Sequence, residues 1–326
     1  MTQVSDFFGE DPLRKQIYDP NDSTLEIVDV PGLPREVIVD GGKYRTFYGL
    51  DPNSMRTAHK YEPREGDIIF GSSMRSGLTM NKQILSTLLD PEEPLVVKLG
   101  KNHQALHDVM PVAEVVGGAE IEEMPSPRVV SHHGLRENVP NSTKCKYIWI
   151  VRNPKDVCVS LYEFVSRWET ANFENGSFEV FANLFMNGQT VFCSWFEQQK
   201  GWLVHVNEPN VMLVRYEDIL KDRRGHIKRL GEFLGGQAAK SAKNETVVNK
   251  ALEHSSFSVM KKHQSKYLAD VGWIRGENHF VRKGTKNDWR RYFSKDLSDN
   301  FDKVYRDCFK GTIMESWWKE DMKWID

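Results

Sequence analysis

The stretch GSSMRSGLTMNKQIL, residues 71–85, contains the residue types that hold a phosphate group. Arg75 supplies a cation, and Ser76 and Thr79 supply hydroxyl groups. Gly77 lets an anion approach the backbone N–H groups where a helix begins. The ordinary nucleotide P-loop requires Gly-Lys-Ser/Thr, and this loop has Ser-Gly-Leu in those places. The pattern therefore predicts a phosphate loop of another kind, with a polar turn capped by Ser76 as the alternative.

Two further groups of cations suit an anion. Arg152 follows the apolar run YIWIV, and Ser160 lies about two turns into the helix predicted next. A cation at the carboxyl end of a parallel strand lies where open α/β sheets bind ligands, and a surface pair with Asp156 is the alternative. A second candidate clamp, with a solvated basic loop as its alternative, consists of two adjacent cations and a glycine: Arg282, Lys283 and Gly284.

A pair of histidines offers a general base. In SPRVVSHHGL, His132 and His133 follow an apolar run that predicts a strand, so their side chains point to opposite faces of the sheet. One of them can therefore reach the crevice at the end of the sheet and accept a proton from a substrate. A structural role for both imidazoles is the alternative.

These candidate groups lie at the ends of strands that alternate with helices. Strands are predicted in DIIFGSS, PRVVSHHG, KYIWIV and VMLVRYEDI. Helices are predicted in LTMNKQILSTLLD, after Asn153-Pro154 and in RRGHIKRLGEFLG, and residues 178–205 predict one long amphipathic helix. This alternation predicts an α/β fold with a central, mainly parallel sheet flanked by helices.

The chain is expected to consist of an arm and one domain. Residues 1–65 are rich in Pro, Gly and Asp, and they predict an N-terminal arm with substrate-side loops. Within the arm, Asp40-Gly41 predicts the turn of a hairpin. Residues 66–326 predict a single domain that carries the phosphate loop and the histidines.

Composition limits the partners and the location. The formal net charge is −2 and no long apolar stretch is present, so neither nucleic acid nor a membrane is an expected partner. The four cysteines show no C-x-x-C spacing, so neither a metal nor a disulfide is expected. MTQVSDFFGEDPLRKQ shows no secretory signal, and a cytoplasmic location is the resulting expectation.

Together the motifs resemble those of the cytosolic sulfotransferase family. RSGLTM is similar to the family's K-S-G-T-T-W loop, and YIWIVRNPKDVCVSLYEF is similar to its R-N-x-K-D-x-x-x-S segment. RKG followed by Asp288-Trp289 resembles the family's R-K-G-x-x-G-D-W element. RYEDI resembles its Y-E-D-x strand, and HSSFSVMKK resembles its H-T-S-F-x-x-M-K-K segment. The resemblance implies transfer of a sulfonate from 3′-phosphoadenosine 5′-phosphosulfate (PAPS) to a hydroxyl or amine of a small, hydrophobic acceptor, with release of 3′-phosphoadenosine 5′-phosphate (PAP).

The resemblance also implies a role for each motif residue. RSGLTM becomes a P-loop-like phosphosulfate-binding loop, in which Arg75 compensates charge on the leaving phosphate, and His133 becomes the general base. Phe164 is implied to face the acceptor. The 3′-phosphate of the donor is assigned to Arg152, Ser160, Arg282, Lys283 and Gly284. The other donor-binding positions are Ser76, Gly77, Leu78, Thr79 and Met80 in the loop and Tyr216, Ser255, Ser256, Phe257 and Met260 around the adenosine.

Four residues depart from the family pattern. Arg75 replaces the loop lysine, Leu78 replaces a threonine, Met80 replaces the stacking tryptophan, and Ser131 replaces the lysine two residues before the histidine. Arginine is expected to be a poor proton donor, because its pKa ordinarily stays above about 12. These departures motivate two alternatives, a catalytically weak member that binds the nucleotide and a member in which PAPS drives dehydration of an alcohol. A P-loop kinase is disfavoured by the missing Gly-Lys-Ser/Thr.

One further segment concerns assembly. The family's K-x-x-x-T-V-x-x-x-E dimer segment corresponds here to RRYFSKDLSD, in which Lys295 stands where an apolar residue packs across a two-fold axis. Two like charges meeting at such an axis oppose association. The sequence therefore predicts a monomer or a weak dimer by that route.

Overall fold

The computed structural model of the protein describes residues 18–19, 21–101, 109–267 and 280–325. The first part of the predicted N-terminal arm and part of the loop region that precedes the histidines lie outside the described residues.

The described part of the arm contains a small antiparallel sheet. Its strands, in the order β1-β2-β3, are β1 (Leu25–Val28), β2 (Glu36–Val39) and β3 (Tyr44–Phe47). β2 and β3 form the hairpin predicted at Asp40-Gly41, where Gly41 has a φ of 66°. Val37 and Val39 of β2 are fully buried. Apolar burial therefore stabilises a regular structure in a region whose Pro and Gly content predicted mainly loops. A short helix, α1 (Pro52–Thr57), follows.

The other four strands form the predicted parallel sheet. They are β4 (Ile68–Ser72), β5 (Val129–His132), β6 (Lys146–Val151) and β7 (Val211–Arg215), and they lie in the order β5-β4-β6-β7. All three pairings are parallel. Every residue of β4 and β5 is buried, as expected for apolar strands that are covered on both faces. The predicted α/β class is confirmed.

Helices cover both faces of this sheet. Leu85, Ile227 and Val248 pack in a cluster on one face, and Val157 and Trp202 belong to the cluster on the other. In the part of the chain that the structure describes, no helix is long and apolar enough to cross a membrane. The helices after α1 are α2 (Leu78–Leu89), α3 (Leu95–Lys101), α4 (Ala113–Val116), α5 (Gly118–Glu123), α6 (Pro154–Val165), α7 (Phe178–Met186), α8 (Trp195–Leu203), α9 (Tyr216–Lys221), α10 (Arg223–Leu234), α11 (Gly236–Lys243), α12 (Glu245–His254), α13 (Phe257–Lys262) and α14 (Lys295–Phe309).

The prediction of one long helix over residues 178–205 is wrong, because the chain breaks between α7 and α8. Gly188 has a φ of 70° and Phe192 a φ of 59°, and an α-helix of L-residues does not continue through a left-handed backbone. The N–H of Phe192 instead donates to the carbonyl of Arg45 in β3 at 2.9 Å. The break thus ties this segment to the small sheet.

Candidate active site

A cavity of about 440 Å³ lies at the carboxyl ends of the four parallel strands. Its wall takes residues from the segment after each of them, including Arg75 after β4, His133 after β5, Arg152 after β6 and Tyr216 after β7. This is the crevice in which open α/β sheets bind ligands. The sequence motifs therefore meet in space although they are far apart in the chain.

The loop before α2 is shaped for an anion. Gly77 has a φ of 96°, and a Cβ at this position would lie 2.6 Å from the ring of Tyr216, so only glycine fits. Gly77 is the N-cap of α2, and within the described residues no side chain caps this helix. The alternative of a Ser76 cap is wrong, since Ser76 is fully buried and its hydroxyl bonds to that of Ser73 at 2.7 Å. The first N–H groups of α2 are left for a ligand.

Arg75 is held in place by its neighbours in the cavity wall. Its Nε donates to Ser160 Oγ at 3.2 Å, and its Nη2 donates to the carbonyl of Phe280 at 2.8 Å. The guanidinium lies 4.9 Å from the ring centroid of Phe164. Phe164 is buried behind the wall, and it packs against Trp168, which lines the cavity.

The surroundings of Arg75 disfavour its charged form. Burial and the positive charges of Arg152 and Arg282 lower the pKa of Arg75 to about 9. This direction departs from the expectation of a pKa above about 12, because burial disfavours the charged form and two further guanidinium groups lie in the same cavity. A bound anion would relieve this repulsion.

Arg152 is directed by carbonyl groups rather than by a carboxylate. Its Nη1 donates to the carbonyl of Arg75 at 2.9 Å and its Nη2 to that of Thr285 at 3.1 Å. Asp156, the partner in the alternative interpretation, instead accepts hydrogen bonds from the backbone N–H groups of Asn287 and Trp289. Among the described residues, the buried Arg152 Nε has no hydrogen-bond partner.

The cations after residue 280 are fixed rather than solvated. Arg282 and Lys283 both bond to the carboxylate of Asp288, which is itself buried. Arg282 Nε is buried and has no partner within the described residues. Ser160, Arg282, Lys283 and Gly284 line the same cavity as Arg152, so the two predicted clamps come together. An anion would satisfy the unpartnered N–H groups.

The hydrogen bonds of His133 leave one ring nitrogen able to accept a proton. Its Nδ1 lies 2.7 Å from the carbonyl oxygen of Ser72, which can only accept, so Nδ1 carries the proton and Nε2 is free of it in the neutral ring. Burial lowers the pKa of His133, which favours that neutral form. His132 is fully buried, with Nε2 2.9 Å from the hydroxyl of Tyr61 and Nδ1 3.3 Å from Glu114. These contacts are those of a structural residue, and within the described residues His132 does not line the cavity.

The adenosine-side residues divide into two groups. Tyr216 and Met260 line the cavity. Ser255 is buried and donates to the carbonyl of Ala251 at 2.7 Å, and Ser256 caps α13. Phe257 is 40% exposed and lies beside Gly284, at the edge of the site.

Part of the cavity wall is mainly apolar. Phe192 contributes to it, and its ring lies 5.3 Å from that of His133. Sequence reasoning missed this wall, because it takes residues from the small sheet, from the break before α8 and from loops without a motif. Its other members include Phe47, Leu50, Val112, Val115, Trp168 and Phe280.

Sequence reasoning also missed Lys82 and Glu114. Lys82 lines the cavity from α2. It lies four residues after Leu78, so it places a charged side chain on the apolar face of the helix. A charge at such a position in the sequence could have indicated a functional residue. Glu114 Oε1 accepts hydrogen bonds from the N–H groups of His133 at 2.9 Å and Gly134 at 2.7 Å. No sequence pattern identified Glu114, since its partners lie about twenty residues further along the chain, after β5.

Comparisons with known proteins identify the family of the chain. The chain matches the sulfotransferase domain model over residues 65–319. It is 30% identical to Sulfotransferase 2B1 of Mus musculus (85% of this chain, 83% of that protein) and 31% identical to Sulfotransferase 1E1 of Cavia porcellus (78% and 87%).

Solved structures show the same fold. Mouse sulfotransferase SULT7A1 complexed with PAP superposes with a TM-score of 0.66 at 24% identity, covering 81% of this chain and 90% of that one. Retinol dehydratase in a complex with retinol and PAP superposes with a TM-score of 0.69 at 22% identity, covering 86% of this chain and 91% of that one. Because the sulfotransferase domain model matches most of the length of this chain, the chain belongs to the sulfotransferase family.

Proposed function

We propose that this PAPS-dependent sulfotransferase transfers the sulfonate to a hydroxyl or amine of a small, hydrophobic acceptor, with His133 as the general base. The observation that carries this proposal is the position of His133. Its ring lies beside Phe192 of the apolar wall, and its Nδ1 bond to Ser72 leaves Nε2 as a proton acceptor.

The residues present fit the donor. The unpartnered Nε atoms of Arg152 and Arg282, together with Ser160, suit the 3′-phosphate, and Lys283 and Gly284 adjoin them. The uncapped start of α2 and Arg75 suit the 5′-phosphosulfate. When bound, PAPS supplies an activated sulfonate on a phosphate leaving group.

The chain's own groups divide the chemistry between them. His133 Nε2 takes the proton of the acceptor hydroxyl or amine. Arg75 and the N–H groups at the start of α2 stabilise the negative charge that grows on the leaving phosphate. The aromatic wall orients the acceptor and excludes water, which supports a hydrophobic acceptor class.

A single-turnover screen with radiolabelled PAPS tests the function. Phenols, steroids, alcohols and amines are offered as acceptors, and the products are separated and identified. We expect a stable labelled ester or sulfamate from at least one apolar acceptor. Binding of PAPS without transfer would instead support the catalytically weak alternative, and loss of water from an alcohol without a stable sulfated product would support the dehydration alternative.

Assembly as a monomer or a weak dimer remains a proposal, which light scattering checks. Lys295 lies at the start of α14 and forms an ion pair with Asp299, and both side chains are more than half exposed. This charged turn is a poor apolar contact across a two-fold axis. A tight dimer that is lost when this turn is mutated would contradict the proposal.

We propose that residues 66–326 form one domain preceded by the arm of residues 1–65, which limited proteolysis checks. A cytoplasmic location is supported by the free thiols of all four cysteines, since thiols persist in reducing compartments, and imaging of the tagged chain checks it.

A further inference from the structure

Lys82 is a buried cation in the wall of the candidate active site. It is 2% exposed, yet it lines the same cavity as Arg75 and His133. Its Nζ donates to the carbonyl of Met110 at 2.7 Å, and within the described residues no carboxylate forms an ion pair with it. Burial disfavours the charged form of an amine that has no ion-pair partner, and an anionic ligand in this cavity would favour that form again.

Lys82 adjoins the strand position occupied by Ser131. The N–H of Ser131 donates at 2.8 Å to the carbonyl of Pro111, the residue after the Met110 that holds Lys82. Val129 packs in the same cluster as Leu85 of α2, and Ser131, two residues further along β5, points to the same face of the sheet. Lys82 thus brings a positive charge from the helix to a place that a lysine at position 131 would reach from the strand.

The charges of the cavity fall into two groups. The pKa of Arg75 is lowered by burial and then by Arg152 and Arg282, which places Arg75 on the side of the phosphate clamps. The pKa of His133 is lowered by burial, and the charge of Lys82 also acts to lower it, which places Lys82 on the side of the base. An acceptor bound beside His133 would therefore lie on the Lys82 side of the same cavity.

We propose that Lys82 binds the sulfonate oxygens of the donor and replaces, from α2, the lysine that is missing at position 131. The inference rests on the proposed function and deepens it. On this proposal the positive charge that is absent at Ser131 is supplied from another position, Lys82. The proposal also explains why a lysine occupies the buried face of α2.

Calorimetric binding of PAPS and of PAP, without an acceptor, tests this inference, because the two nucleotides differ by the sulfonate group. In Lys82→Met, the ratio Kd(PAPS)/Kd(PAP) is expected to rise about 10-fold or more, since charge-assisted hydrogen bonds to the sulfonate are lost. PAP affinity is expected to change little. Adding Ser131→Lys to Lys82→Met should lower the ratio again. Lys98→Met is the control, because Lys98 pairs with Asp90 outside the cavity and should leave the ratio unchanged.

An unchanged ratio in Lys82→Met, or an equal loss of affinity for PAPS and PAP, would overturn the inference. Failure of the proposed function is a different result, in which the wild-type chain does not bind PAPS or does not transfer the sulfonate.

If Lys82→Met does not fold, the pH dependence of nucleotide binding by the wild-type chain tests the inference instead. Burial lowers the pKa of Lys82 to about 7, while that of Glu114 is about 2 and that of Arg75 about 9. The pKa of His133 is lowered, so His133 stays neutral above pH 7. Lys82 must be protonated to bind the sulfonate, so Kd(PAPS)/Kd(PAP) should rise about three- to fivefold from pH 7 to pH 8. A flat ratio would overturn the inference.

Discussion

His133→Ala is expected to lower single-turnover sulfonate transfer by about 10²–10⁴-fold, because the variant has no group to take the acceptor proton. The affinity for PAP should stay nearly unchanged, since the phosphate clamps consist of other residues, such as Arg152 and Arg282. Rapid-quench measurement of transfer at saturating PAPS, with calorimetry of PAP binding, checks both statements.

His132→Ala is the matched control for His133→Ala. His132 bonds to Tyr61 and Glu114 on the side of the strand that faces away from the cavity, so its loss should lower thermal stability and spare the transfer step. If His132→Ala were the inactive variant and His133→Ala the active one, the assignment of the base would be wrong by one residue.

The pH dependence of the wild-type transfer step follows from the same base. Burial lowers the pKa of His133, and the neutral imidazole is the active form. The transfer rate should therefore hold as pH falls to about 6.5, the ordinary pKa of histidine, and decline only below it. A decline centred above pH 7 would contradict this account.

Arg75→Ala is expected to slow transfer by about 10²–10³-fold, by analogy with the removal of one oxyanion-hole donor. Arg75→Lys should leave turnover unchanged or raise it, because lysine keeps the charge and its compact ammonium can approach the bridging oxygen and donate a proton. Single-turnover transfer at saturating donor, with both variants and the wild type, measures this difference. Arg229→Ala is the control, since Arg229 is an exposed partner of Asp222 on α10.

The contrary result for Arg75 is also informative. In the structure the guanidinium bonds to Ser160 and to the carbonyl of Phe280 at the same time, and a lysine cannot make both bonds in that geometry. If Arg75→Lys were as damaging as Arg75→Ala, the simple assignment of Arg75 as a charge that any cation can supply would be wrong.

The parts predicted correctly from the sequence are those encoded by local patterns. The apolar run of β4, Gly77 and the helical spacing after Leu78 lie within residues 68–89, and together they specify a strand, a turn and a helix N-terminus. The positions of Arg152 and His133 at the ends of neighbouring strands then follow from the parallel topology.

The parts that were missed depend on contacts between distant segments. Phe192 reaches the cavity only because the predicted long helix breaks and its N–H bonds to Arg45 in β3. The lowered pKa of Arg75 arises from its burial in the cavity wall and then from Arg152 and Arg282, which are separated from it by many residues in the chain. Neither effect leaves a trace in local periodicity.

The central claim is that Arg152, Ser160 and Arg282 form a site for a 3′-phosphate, and calorimetric binding of PAP and adenosine 5′-monophosphate tests it most directly. The two ligands differ only by that phosphate. We expect PAP to bind at least about 100-fold more tightly, because several charge-assisted hydrogen bonds at about 1.5–3 kcal/mol each are made only with PAP. ATP, which also lacks a 3′-phosphate, should bind as weakly as the monophosphate. Equal affinity for PAP and for adenosine 5′-monophosphate or ATP would contradict the account.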